Sequence, residues 1–163
     1  MRAGLIAFAL SHLILGRAGA AELPAGMSAL LDASEAHDAE VVRFADDRSG
    51  GLLLATRVAA EPQRLIATLA EPATYQRAVP AFAKAEVKQV VPSTGARLVA
   101  WELEVPLWNF AGTLWMRPQR TGVVLELVDG DLAPGKLTLT VLPSARPGGK
   151  ATLTVSGSIA IER

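Results

Sequence analysis

Apolar residues in this chain follow two rhythms, a period of two that dominates and a short interlude of helical spacing. Residues 52–60 read as a strong strand. They form a hairpin with a weaker strand at 40–44 across Asp46-Asp47-Arg48-Ser49-Gly50-Gly51, a turn cluster without an apolar residue. Glu61-Pro62 ends the strand and opens a helix, because proline is tolerated in a first turn. Leu65, Ile66 and Leu69 make its apolar stripe, and Glu71-Pro72 interrupts it. A second short helix carries Tyr75, Val79 and Phe82, with Pro80 near its end.

The period of two then returns. Strands are predicted at 85–91, 97–105, 108–116, 123–128, 137–142 and 151–161, with turns at 92–95, 117–122, 129–135 and 147–150. Val99, Trp101, Leu103 and Val105 share one face of their strand, with Glu102 and Glu104 on the other. Trp108, Phe110, Gly112, Leu114 and Met116 likewise share a face, and Trp115 points away from them. Each strand thus has a dry side and a wet side. A meander whose dry sides agree needs a cover, which the helical residues 62–82 can supply. The fold class is α+β: a curved antiparallel sheet of about six to seven strands with two short helices. Upstream, Leu23, Met27, Leu30 and Leu31 fall at helical spacing after Pro24-Ala25-Gly26.

The length, 163 residues, suits one domain. Half the residues are hydrophobic but only 5% aromatic, so leucine, valine, alanine and isoleucine must fill the core. Sixteen basic residues balance sixteen acidic ones, which is not the footprint of a nucleic-acid binder. Cysteine is absent, which removes disulfides, thiolate catalysis and cysteine metal sites. At the start, Arg2 precedes an apolar run over 3–15, and Ala18-Gly19-Ala20 supplies small residues at signal-peptidase spacing. Residues 1–20 therefore read as a secretory signal, cut after Ala20 or Ala21, with 21–163 a single periplasmic or secreted domain. The alternative is an uncleaved anchor. No twin arginine precedes the run, so export is expected in the unfolded state, without a cofactor loaded in the cytoplasm; none is expected. Loss of His12 would leave His37 as the one histidine.

Several stretches resemble the SRPBCC superfamily, the START-like or Bet v 1-like proteins, and within it the polyketide cyclase/dehydrase and coenzyme Q-binding group. Leu54-Ala55-Thr56-Arg57-Val58-Ala59-Ala60-Glu61-Pro62 is similar to that family's opening strand running into its first helix. Residues 65–79, LIATLAEPATYQRAV, resemble its helical pair, and Pro80-Ala81-Phe82 with Glu86-Val87-Lys88 its exit into the sheet. Gly130-Asp131-Leu132-Ala133-Pro134-Gly135 and Pro147-Gly148-Gly149-Lys150-Ala151-Thr152-Leu153 resemble its late strand connections. The resemblance covers residues 52–161. It implies a seven-stranded sheet gripping a long C-terminal helix, with a ligand tunnel between them. The sequence stops at Arg163, so that helix is missing from the pattern. The cavity would then be open, or covered by a partner or by residues 22–35.

The function expected is non-enzymatic binding of a lipid-like or other hydrophobic small molecule between sheet and helices. Tyr75, Phe82, Val99, Trp101, Leu103, Trp108, Phe110, Leu114 and Met116 are the candidate ligand-binding residues. An alternative is a cyclase- or dehydrase-type enzyme, which would need a polar group inside the cavity. Another is an interaction domain, its open apolar face docking a second copy or another protein; Trp115 on the outer surface could mark a contact with a partner or a membrane surface. Other features read as structural. Glu102 and Glu104 belong to a solvated face, His37 to an exposed loop, and Asp129-Gly130-Asp131 to a turn lacking the spacing of a calcium loop. No catalytic or metal-ligating residue is assigned.

Overall fold

The computed structural model describes residues 26–37, 41–44, 51–143 and 150–160. The proposed signal at 1–20 and the turn at 46–50 lie outside the described residues. The described chain runs α1 (Met27–His37), β1 (Val41–Phe44), β2 (Gly51–Val58), α2 (Pro62–Leu69), α3 (Pro72–Ala78), β3 (Phe82–Val91), β4 (Ala96–Val105), β5 (Trp108–Gln119), β6 (Gly122–Gly130), β7 (Gly135–Leu142) and β8 (Ala151–Ile159). The strands form one antiparallel sheet in the order β1-β2-β8-β7-β6-β5-β4-β3. The α+β class stands, with eight strands in the sheet. No helix follows β8 among the described residues.

Alternation puts one side chain of every pair into a common core. Leu52 and Leu54 of β2, Val99 and Trp101 of β4, Leu114 and Met116 of β5, Leu125 of β6, Leu139 of β7 and Leu153 of β8 all join it. Helix α2 lies over β6 and β7, and α3 packs on β3. Leu65 and Leu69 of α2 are buried in that core, each contributing roughly 1.5–3 kcal/mol.

Glu61 caps α2, its carboxylate accepting from the Gln63 and Arg64 amides at 3.0 and 2.8 Å. Pro62 follows as the first helical residue. At the far end the chain cannot continue as one helix because Pro72 opens α3.

Three expectations change. Residues 22–35 were one candidate cover for the cavity, but α1 packs on the opposite face. Met27 and Leu30 meet Leu53 and Ala55, whose side chains point away from Leu52 and Leu54. That outer face is accordingly dry at β2, and Thr154 on neighbouring β8 is also buried, its hydroxyl donating to the Thr140 carbonyl at 3.3 Å. Second, the turn predicted at 117–122 shrinks to Arg120-Thr121, because β5 continues to Gln119. Pro118 is tolerated there because the β4 ladder ends at the Arg97–Met116 pair. Third, His37 is the last residue of α1 rather than part of a loop.

Both edges of the sheet are guarded. β1 is four residues long. β3 has irregular register between Phe82 and Lys84 and again between Val87 and Gln89. It also carries Lys84, Glu86 and Lys88, with Lys84 2.9 Å from Glu102 and Lys88 2.6 Å from Glu86. The Glu102 hydrogen bond raises the Lys84 pKa, and the Lys88 hydrogen bond lowers that of Glu86.

The two amide hydrogen bonds at the α2 cap hold the Glu61 carboxyl below the usual glutamate range. A depressed folded pKa gives stability that is present at neutral pH and lost as pH falls through the carboxylate range. Glu61→Ala should therefore lower the melting temperature at pH 7, and the difference from wild type should shrink below about pH 4. Thermal unfolding at the two pH values measures this.

Candidate functional site

The cavity lies where α3, β3 and the middle of the sheet meet. Pro72 and Tyr75 of α3 form its roof, Phe82 and Ala85 of β3 one side, and Val99, Trp101, Leu114, Met116 and Leu125 its floor. The free space is about 20 Å³. One water-sized sphere fits in such a volume, whereas pockets for drug-sized ligands measure roughly 300–1,000 Å³. No polar atom faces it.

Of the residues singled out in the sequence, Tyr75, Phe82, Val99, Trp101, Leu114 and Met116 are brought together around this space. Leu103 is buried in the same core but does not line it, and Phe110 is half-buried at the margin. Trp108 stands out in solvent, 67% exposed. Three lining residues were not anticipated. Leu125 was legible, since it sits on the dry alternation of β6 with Val123 and Leu127. Ala85 and Pro72 gave no signal, being small or read only as a helix opener.

Tyr75 has its polar end occupied. Its hydroxyl donates to the Leu69 carbonyl at 2.8 Å, and burial pushes the phenol pKa up. Its ring meets Phe82 at 5.8 Å between centroids, tilted by 54°. The next carbonyl, that of Ala70, accepts from Arg97 Nη1 at 2.9 Å, and the same nitrogen lies 3.0 Å from Glu71 Oε2. The C-terminal carbonyls of α2 would otherwise be orphaned. Tyr75 satisfies one from the following helix, and Arg97 satisfies another from β4. The link between α2 and α3 is thereby fastened to the sheet.

Trp101 contributes the one anomaly in the lining. Its Nε1 is buried and has no hydrogen-bond partner among the described residues. The indole is accommodated by Gly112 opposite it on β5. A Cβ at Gly112 would stand 3.1 Å from Trp101 Cζ2 and 2.2 Å from the Asp129 carbonyl oxygen. Trp115 is on the outer face, as its alternation requires, with the Arg117 guanidinium 5.3 Å from its ring centroid. Arg117 also reaches Glu126 at 3.1 Å. Glu102 and Glu104 lie on the solvated face, and no acidic or histidine cluster suited to a metal occurs among the described residues. Asp131 is structural, its carboxylate accepting from the Ala111 amide at 2.7 Å.

No family model matches the chain. No curated protein matches it either. Solved structures do. A STAR-related lipid transfer protein fragment from Xanthomonas axonopodis superposes with a TM-score of 0.61 at 12% identity, covering 76% of this chain and 77% of that one. The fold is START-like. A second structure, of a Thermus thermophilus protein, gives a TM-score of 0.51 at 12% identity over 76% of this chain and 75% of that one.

The fastening of the helical link can be tested directly. Tyr75→Phe removes the donor to the Leu69 carbonyl and should cost about 1–3 kcal/mol in chemical denaturation. Arg97→Met should cost about 1 kcal/mol or less, because the pair is partly exposed. It should also increase the fluorescence of an added hydrophobic dye by loosening the cover.

Proposed function

We propose that this domain binds a hydrophobic small molecule between its curved sheet and the α2–α3 pair, and that this cover moves outward to admit it. The observation carrying this reading is the placement of the free space. It sits where helical cover meets sheet, and its wall is entirely apolar. The START-like fold supports the same reading, since the Xanthomonas protein is a lipid transfer protein.

A space of about 20 Å³ takes no acyl chain as it stands. Binding must therefore push the cover outward. The cover consists of two short helices joined through Ala70-Glu71, and the residues nearest the space include Met116, whose unbranched side chain repacks readily. Apolar ligand surface leaving water would supply roughly 25 cal/mol per Å², less the cost of moving the helices. We read the ligand as apolar, matching the wall, and the protein as acting after export, on the strength of residues 1–20.

The tightness of the core favours a second reading, an interaction domain that holds no ligand. A cyclase- or dehydrase-type activity is less well supported, because the Tyr75 hydroxyl would first have to leave the Leu69 carbonyl.

Native mass spectrometry of protein purified from its own cellular compartment should show a stoichiometric apolar adduct on a chain beginning at Ala21 or Glu22. A bare protein that also ignores a hydrophobic dye would overturn the binding reading in favour of the interaction domain.

A further inference from the structure

The β4–β5 hairpin ends in an exposed apolar tip, and we propose that this tip docks the protein on a lipid bilayer. This goes beyond ligand binding and does not require it.

The hairpin outruns its neighbours. On one side, the contacts with β3 end where the Glu104 amide donates to the Ala81 carbonyl at 2.7 Å. On the other, those with β6 end where the Asp131 amide donates to the Ala111 carbonyl at 3.0 Å and Asp131 clamps the Ala111 amide. Residues 105–110 extend past both as a two-stranded tongue. Their sequence, Val105-Pro106-Leu107-Trp108-Asn109-Phe110, holds no charge. Leu107 is 90% exposed and Trp108 67% exposed.

The turn is strained. Val105 pairs with Trp108, leaving Pro106-Leu107 as a two-residue connection. Leu107 has φ +82°, the only non-glycine residue with positive φ among the described residues. Proline followed by positive φ is the type II turn, whose second position belongs to glycine or asparagine. A bulky leucine there is unfavourable for the fold and exposed to water besides, so its use lies in what it touches.

The geometry selects the occupant. Leu107 and Trp108 together offer of the order of 300 Å², short of the roughly 600–800 Å² that each partner buries in a specific protein interface. A convex tip of one leucine and one tryptophan needs no complementary pocket in a bilayer, where tryptophan favours the headgroup boundary. With no charge from Val105 to Phe110, attachment does not depend on anionic lipid. The tip is also continuous with the cavity floor. Val105–Trp108, Leu103–Phe110 and Trp101–Gly112 are successive facing pairs on the concave side, so an apolar strip runs from the tongue to the cavity.

The test is co-sedimentation of the full protein with neutral phosphatidylcholine vesicles. Wild type should bind, and high salt should not release it. Leu107→Gly removes the side chain and suits the backbone, so it should melt no lower than wild type yet partition about tenfold less. Phosphatidylcholine brominated in its acyl chains should quench tryptophan emission in wild type but not in Trp108→Phe, which keeps Trp101 and Trp115. Absence of vesicle binding, or binding and quenching unchanged in both variants, would overturn the proposal. So would a dimer that Leu107→Gly dissolves. Binding of the hydrophobic dye in vesicle-free solution should be the same in Leu107→Gly and wild type, which separates failure of this tip from failure of the cavity.

Discussion

An antiparallel sheet with a continuous apolar face cannot leave that face in water, and here the cover over its middle consists of two short helices. Everything near the cavity follows from that shortage. Each helix presents only one or two buried side chains to the sheet: Leu65 and Leu69 from α2, Pro72 and Tyr75 from α3. Helices this short are not stable in isolation and depend on packing against the sheet. Specific polar contacts fix their ends, with Glu61 at the start of α2 and Tyr75 and Arg97 at its finish. The apolar face supplies the energy, and the end contacts decide where the helices sit.

The alternation of strands was plain in the sequence because one face of each strand is dry and the other is wet. It correctly separated Trp101 and Met116 from Glu102 and Trp115. Helix α2 was legible from Pro62 and the stripe at Leu65 and Leu69. What periodicity could not supply was the side of the sheet on which a helix lands. Met27 and Leu30 announce a helix equally well above or below β2, and only the orientation of Leu53 and Ala55 places α1 on the outer face. The same limit applies to volume. Alternation states which side chains point inward, but not how closely they meet, so the free space of about 20 Å³ was not readable from spacing. The long β5 was missed for another reason. Arg117-Pro118-Gln119 has the composition of a turn, yet proline is harmless on a strand segment whose neighbour has already ended.

The candidate residues divide by physical role as well as by place. Trp101 is inside with an unpaired donor, Trp115 lies on the wet face beside a guanidinium, and Trp108 stands free at the tongue. Strand parity separated Trp115 from the other two. Trp101 and Trp108 share parity and differ because one lies mid-sheet and the other beyond its last neighbouring strands.

The guarded margins of the sheet have a consequence for how copies of this protein can meet. Stacking by strand addition requires a straight run of free backbone donors and acceptors, and among the described residues neither border offers one. One border is too brief, and the other is kinked twice and studded with ammonium and carboxylate groups. Ribbon-like polymerisation through the described borders is disfavoured without any loss of core area, while a greasy projection stays on view.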